Sequence, residues 1–386
     1  MSGATAGIGE AFRRQYGTAE GLRVFRAPGR VNLIGEHTDY TLGFVMPMAL
    51  DLATYIAAAP SGDGRLRLYS EIHDEVREFE AALIIQAVRE GHWTDYPVGV
   101  AHQLARAGFK IEGANLLIRS TVPEGSGLSS SAALEVSSAL ALLHGREIPP
   151  LDLARLCQRA EVDFVKMPCG IMDQYVSVFG RDHAAVEIDC RSLEHRYVPL
   201  PEGVAFLAVN TMVKHALGAS AYRERVQECA TAVAEIRRRF SDVESLRDVN
   251  VALFESVKSA LPPVVARRAH HVVHENDRVN RFVVASEQAQ LDLMGRLLVE
   301  SHRSLQHDYE VSCAELDFLV DTALDIEGVY GSRMTGGGFG GCTVTMLETG
   351  AVARFRDAIS RAYEKQFQIT PQIYDCKPSA GAGEVS

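Results

Sequence analysis

Residues Pro123 to Ala133 read Pro-Glu-Gly-Ser-Gly-Leu-Ser-Ser-Ser-Ala-Ala and run straight into an apolar helical repeat. A chain of this kind must place a flexible, donor-rich turn at the start of a buried helix. Ala133, Val136, Leu140 and Leu143 recur at helical spacing, which predicts a helix from Ser129 to about Leu143. Glycines let backbone N–H groups turn toward an anion, and a helix start aims unpaired donors and its positive dipole end at the same place. Gly125, Ser126, Gly127, Leu128, Ser129, Ser130 and Ser131 are therefore a candidate phosphate cradle. No lysine completes a Walker sequence. The competing reading is a serine-capped core helix.

The rest of the chain reads as α/β. Leu22 to Phe25, Ala53 to Ala58, Leu66 to Tyr69, Ala114 to Arg119, Ala185 to Asp189, Val204 to Asn210 and Cys342 to Leu347 are predicted strands. Tyr96 to Ala107, Leu151 to Phe164, Asp242 to Leu261 and Ala266 to Phe282 read as helical. At 386 residues the chain has room for two domains, and Pro199-Leu200-Pro201-Glu202-Gly203 is the best candidate seam. A net charge of -11 with no basic cluster argues against a nucleic-acid partner. Met1 to Tyr16 carries no signal-peptide pattern, and no apolar run approaches the roughly 18 residues of a membrane span. The expectation is a cytoplasmic protein without a membrane partner. Seven cysteines without a Cys-x-x-Cys pair fit reduced thiols rather than a disulfide framework or a zinc site.

Two further stretches narrow the function. Arg26 to Tyr40 reads Arg-Ala-Pro-Gly-Arg-Val-Asn-Leu-Ile-Gly-Glu-His-Thr-Asp-Tyr, and Ser332 to Cys342 reads Ser-Arg-Met-Thr-Gly-Gly-Gly-Phe-Gly-Gly-Cys. With the cradle between them, and with Cys169-Gly170-Ile171-Met172-Asp173-Gln174 and the closing Cys376 to Gly383, the order and spacing resemble the galactokinases of the GHMP family of small-molecule kinases. The resemblance implies a two-domain α+β fold. Residues 1–200 would form the ribosomal-protein-S5-like N-terminal domain and 201–386 the ferredoxin-like C-terminal domain, with the active site between them. It also implies ATP-dependent phosphorylation of α-D-galactose at its anomeric hydroxyl, the first committed step of galactose catabolism. Two alternatives stay open, a GHMP kinase for N-acetylgalactosamine or another galactose-like sugar, and a galactose sensor without turnover.

Glu36, His37 and Asp39 stand within four positions after a glycine. A neutral polyol offers no charge to grip, and carboxylates suit it because each can accept two hydroxyl protons. Glu36 and Asp39 are thus candidate clamps on vicinal hydroxyls, with His37 beside them. By resemblance, Gly170 and Tyr222 join them at the sugar, Asp173 is the catalytic carboxylate and Arg30 the cation beside it. Phosphoryl transfer asks the protein mainly for positioning and charge stabilisation, which this pair could supply. Resemblance also assigns Mg²⁺ to Ser131 and Glu161, two hard oxygen donors of the type the ion prefers.

Some patterns carry less. Gly336, Gly338 and Gly341 formally spell Gly-x-Gly-x-x-Gly, but the alternating run Cys342 to Leu347 is strand-like, so a dinucleotide fold is rejected. The loop instead lets backbone approach the phosphate cradle. His270, His271 and His274 lack a third ligand and read as a helix surface. Trp93 and Tyr96 read as packing. Near Tyr222 the chain departs from the family pattern at Ala221 and at Arg223-Glu224-Arg225-Val226, and Lys166-Met167-Pro168 and Thr41 also depart. These positions bear on sugar specificity.

Overall fold

The computed structural model describes residues 6–214 and 218–385. Two sheets organise it. The larger has eight strands and contains β1 (Arg23–Ile34), β2 (Phe44–Pro60), β3 (Arg65–Ser70), β4 (Glu75–Glu80), β5 (Ala114–Ser120), β6 (Ala184–Asp189) and β7 (His195–Pro199). The smaller has four strands, β8 (Val204–Lys214), β9 (Val329–Thr335), β10 (Gly340–Glu348) and β11 (Gln372–Asp375), in the order β11-β8-β10-β9. The last strand, β12 (Gly383–Val385), leaves the second sheet and pairs antiparallel with β1, so the chain end returns to the first. The chain passes from the first sheet to the second between Pro199 and Val204.

The first strand runs much further than its apolar pattern predicted. Pro28 and Gly29 interrupt that pattern, yet β1 continues through them with register shifts against β2 between Pro28 and Arg30 and between Asn32 and Ile34. Such irregularities re-aim side chains. Gly29 is required by contact, because a Cβ there would lie 2.6 Å from the Leu128 carbonyl oxygen. Strand and cradle therefore touch through backbone, with Arg30 N–H donating to Leu128 O at 3.0 Å.

Behind the first sheet, the helix Ser130–Leu143 buries Ala132, Ala133, Val136 and Ala139. The helix predicted over 151–164 forms only from Pro150 to Arg159 and then widens into a π-turn, Ala160–Val165. The C-terminal helical region begins with shorter pieces, Leu246–Asp248 and Val251–Val257, and then forms one long helix, Pro263–Glu287. That helix is anchored by Val279, Phe282 and Val283, all fully buried beside β1 and β2 residues. Each such side chain contributes about 1.5–3 kcal/mol by leaving water. No helix among the described residues is long and apolar enough to cross a membrane.

Candidate active site

Ser129 does not cap its helix. It sits at φ 60°, makes no side-chain cap, and its hydroxyl donates to Asp173 Oδ2 at 2.5 Å. Asp173 opens the short helix Met172–Phe179 and also receives Arg30, whose Nε reaches Oδ1 and whose second nitrogen reaches Oδ2, each at 2.8 Å. This is a two-pronged guanidinium–carboxylate pair, the most directional ion pair available to side chains. The third Arg30 nitrogen donates to the carbonyl of Gly127 in the cradle. Arg30 is 5% exposed, so the pair is largely dry on its side. One strand, one loop and one helix start thus meet at a single carboxylate.

Next to the pair lies a cavity of about 150 Å³ lined by Arg30, Glu36, His37, Asp39, Gly170, Asp173 and Tyr222, with Met167, Pro168 and Cys169 on one wall. All the residues expected at the sugar are together here. Burial, with the negative Asp173 and Glu36 nearby, pushes the Asp39 carboxyl up to about 7. Gly170 faces that carboxylate so closely that a Cβ would fall 1.9 Å from Asp39 Oδ2. Glu36 is more constrained than a free clamp. Its carboxylate already accepts from Asn32 Nδ2 at 2.9 Å and from Gly336 N–H at 2.6 Å, with the Arg333 guanidinium at 3.3 Å. His37, at φ 62°, has its Nδ1 3.0 Å from the Tyr40 hydroxyl, and burial pushes its pKa down to about 3, so the ring is neutral. Tyr222 packs against the His37 ring at a tilt and against the Tyr40 ring edge-on, with both centroids at 5.5 Å. Of the departures flagged nearby, Arg225 is structural. It donates to the carbonyls of Tyr309 and Glu310 and pairs with Glu228.

On the other side of the cradle a second cavity, about 210 Å³, is lined by Gly125, Ser130, Ser131, Glu124, Trp93, Tyr96 and His73. Trp93 does pack against the core, as expected, but it also forms a wall of this cavity and stacks on His73 at 5.4 Å. A planar ring could enter beside it, next to the serines.

Glu161 lies within the π-turn and is 7% exposed, so it is not a solvated helix face. Its Oε2 accepts from Gln174 Nε2 at 2.7 Å, and the Ser131 hydroxyl is a further hydrogen-bond partner. Burial, then the negative Asp173, pushes the Glu161 carboxyl up to about 7. Gln174 also donates to Glu135, a fully buried acid one helical turn beyond Ser131. Among the described residues no three His, Cys, Asp or Glu side chains group to hold an ion unaided. Ser131 and Glu161 do offer two adjacent hard oxygens beside a buried cluster with surplus acid. That set fits Mg²⁺, which commonly takes few protein ligands and completes its shell with phosphate oxygens and water.

The glycine-rich loop behaves as expected. Gly336, at φ 85°, rests on the cradle so that a Cβ would lie 3.1 Å from Gly127 O. A strand, β10, follows it.

The histidine reading needs correction. His270 and His274 are partly exposed, but His271 is completely buried, with Nε2 3.1 Å from the Glu36 carbonyl oxygen. The long helix therefore touches the turn that carries Glu36, His37 and Asp39, which its sequence did not suggest. Polar residues set among Val272, Val273 and Val279 were the available signal, because that face is otherwise apolar.

The chain matches three family models: the galactokinase galactose-binding signature over residues 10–60, the GHMP kinase N-terminal domain over 95–181 and the GHMP kinase C-terminal domain over 282–365. It is 44% identical to a galactokinase of Roseiflexus sp. (strain RS-1) across 99% of this chain and 97% of that one. It is also 44% identical to the galactokinase of Chloroflexus aggregans, across 97% and 95%. Among solved structures, the Lactococcus lactis galactokinase complexed with galactose matches with a TM-score of 0.94 at 34% identity, covering 98% of this chain and 99% of that one. The mevalonate kinase of Methanococcus jannaschii shares the fold, with a TM-score of 0.66 at 17% identity over 92% and 98% of the two chains.

Proposed function

The chain belongs to the galactokinases of the GHMP kinase family, and we propose how its own residues divide the work of phosphorylating galactose with ATP. The observation that carries the proposal is the position of Asp173, held by Arg30 at the edge of the first cavity and by Ser129 of the cradle. Galactose occupies the first cavity, where Asp39 and the remaining lone pairs of Glu36 accept from its hydroxyls and Tyr222 covers it. The nucleotide lies across the cradle, with its base in the second cavity and its phosphates on the N–H groups of residues 125–131.

Asp173 then orients the anomeric hydroxyl and receives its proton as the sugar oxygen attacks the γ-phosphorus. The new O–P bond forms as the bond to the β-phosphate oxygen breaks, giving α-D-galactose 1-phosphate and ADP. Arg30 keeps the carboxylate in place and offsets charge on the phosphoryl in transit. Mg²⁺, held by Ser131 and Glu161, would supply charge neutralisation at the phosphates. The two-domain division at 1–200 and 201–386 is part of this reading, supported by the two sheets, with β12 crossing back. The reading also places the enzyme in the cytoplasm, in keeping with its charge and composition.

Asp173→Asn tests the assignment. The amide keeps the shape and one acceptor oxygen, so binding of galactose and ADP should stay near wild type while kcat falls by about 10²–10⁴-fold. Turnover within a few-fold of wild type would overturn the base role. ADP release across a panel of hexoses tests the sugar. Galactose should exceed its 4-epimer glucose by about 10⁴ in kcat/KM, because a site built on a given hydroxyl rejects an analogue that leaves its polar groups unpaired. Comparable values for the two sugars would overturn that part.

A further inference from the structure

β1 ends at Ile34, and the next two N–H groups turn away from any strand partner. Buried backbone donors need an acceptor. Both find it in Glu275 of the long helix, a completely buried side chain far along the sequence. Its Oε1 accepts from Gly35 N–H at 2.9 Å, Glu36 N–H at 3.3 Å and Ser301 Oγ at 2.7 Å, while Oε2 accepts from Arg278 Nε at 2.7 Å. Burial pushes this carboxyl up, but Arg278, His271 and Arg333 outweigh it and hold it at about 2, so it is a carboxylate throughout the working range. On the same helix, His271 meets the Glu36 carbonyl and Asn276 Oδ1 accepts from Phe44 N–H at 2.9 Å. Both ends of the turn that carries Glu36, His37 and Asp39 are thus pinned by one helix.

A buried ion pair is weak support for stability, since well-packed apolar residues commonly do as well. Its distinct effect is geometric. The acceptor at Gly35 and Glu36 fixes the exit direction of the chain, and the turn leaves little freedom of its own, because a Cβ at Gly35 would lie 2.7 Å from Phe44 O. We infer that Glu275 is a positioning residue for the sugar site: it touches no substrate, but it sets the backbone from which Glu36 and Asp39 present their carboxylates. This rests on the reading of Glu36 and Asp39 as galactose contacts.

The test compares Glu275→Gln, Ser301→Ala and Asp39→Asn in the full-length enzyme, with galactose and ADP affinities measured separately by calorimetry. Hydrogen exchange is followed in peptides spanning residues 31–44 and elsewhere. Glu275→Gln removes the charge and leaves Arg278 unpaired, so galactose affinity should fall by roughly 10- to 100-fold, as for a lost charge-assisted hydrogen bond. ADP affinity should stay within twofold, and exchange should accelerate in 31–44 but not across the molecule. Ser301→Ala, which keeps the charge and removes one donor, should move the same two readouts in the same direction by a few-fold.

Unchanged galactose affinity in both variants overturns the inference. So does a general rise in exchange with both ligands weakened, which would mark a merely structural residue. If Glu275→Gln fails to fold, Ser301→Ala decides alone, and an unchanged sugar affinity with unchanged exchange overturns the proposal. Asp39→Asn separates the two levels. Normal galactose binding there would sink the sugar-site reading itself, whereas a loss there beside normal binding in the Glu275 and Ser301 variants would sink only the positioning role.

Discussion

Gly170 offers the sharpest perturbation of the proposed sugar site, because one methyl group should disable it at a modest cost in stability. Its φ lies outside the left-handed range, so alanine fits the backbone. The methyl does not fit the site. A Cβ would stand 1.9 Å from Asp39 Oδ2, 2.2 Å from Cγ and 2.7 Å from Cβ. A carbon–oxygen contact needs more than about 3 Å, so the Asp39 carboxylate must retreat by about 1 Å. The carboxylate can swing aside by side-chain rotation, but Asp39 Cβ at 2.7 Å clears only if the backbone at 39 or 170 also gives. The melting temperature should therefore drop by a few degrees while the fold is kept. The hydrogen bonds that this carboxylate would accept from sugar hydroxyls in the proposed site would not survive. Each charge-assisted bond is worth about 1.5–3 kcal/mol, which converts to roughly a 10- to 150-fold loss of affinity. Calorimetric titration of Gly170→Ala with galactose should show that loss, with ADP binding unchanged. In Gly170→Ala/Asp39→Asn the two effects should fall well short of additive, because both act on the same carboxylate. A Gly170→Ala dissociation constant for galactose within threefold of wild type would refute the argument.

Asp39, raised to about 7, implies that galactose affinity weakens as pH falls from 8 to 6. The ionised carboxylate is the binding form, so the loss approaches about tenfold per unit below the transition, and Asp39→Asn should flatten the profile. A flat wild-type profile between pH 6 and 8 would rule this out. Glu161→Gln should raise the Mg²⁺ requirement about tenfold or more while sparing galactose affinity. Mn²⁺ binding in the presence of ADP, followed by electron paramagnetic resonance, reads this without turnover, and unchanged Mn²⁺ affinity would remove Glu161 from the metal site.

Legibility from sequence followed contiguity. Arg30, Glu36 and Asp39 share one short run, and the cradle and the Cys169 to Gln174 stretch are equally compact, so residue types and order could be read directly. The structure brings them together with Tyr222 from a separate helix. The true length of β1 was hidden because Pro28 and Gly29 look like loop residues, although irregular register accommodates both. Glu275, His271 and Asn276 left only a faint signal, polar residues set among apolar ones, for a different reason. Spacing alone cannot say whether a polar residue on an amphipathic helix faces water or a buried backbone group. Here the partners are the N–H groups of residues 35, 36 and 44 and the carbonyl of residue 36, more than two hundred positions away. Gln174 and Glu135 escaped in the same way, since their partnership with Glu161 depends on a π-turn that periodicity does not encode.

The distribution of cations around the acids separates their tasks. Of the carboxylates Asp173, Glu36, Asp39 and Glu161, two are matched inside the protein, Asp173 by both arms of Arg30 and Glu36 by Arg333 and a backbone donor. Asp39 and Glu161 have no such guanidinium among the described contacts, and these are the two whose carboxyls rise to about 7. An acid held in burial without a counter-charge is costly unless a ligand supplies what it lacks. Asp39 faces the cavity where sugar hydroxyls would bring protons to share, and Glu161 stands beside Ser131 where a cation would sit. The matched pair at Asp173 needs nothing from the ligand to keep its geometry. On the proposed reading the unmatched acids would gain their partners from the substrates, so that binding sugar and metal–nucleotide would relieve an imbalance that the folded chain retains.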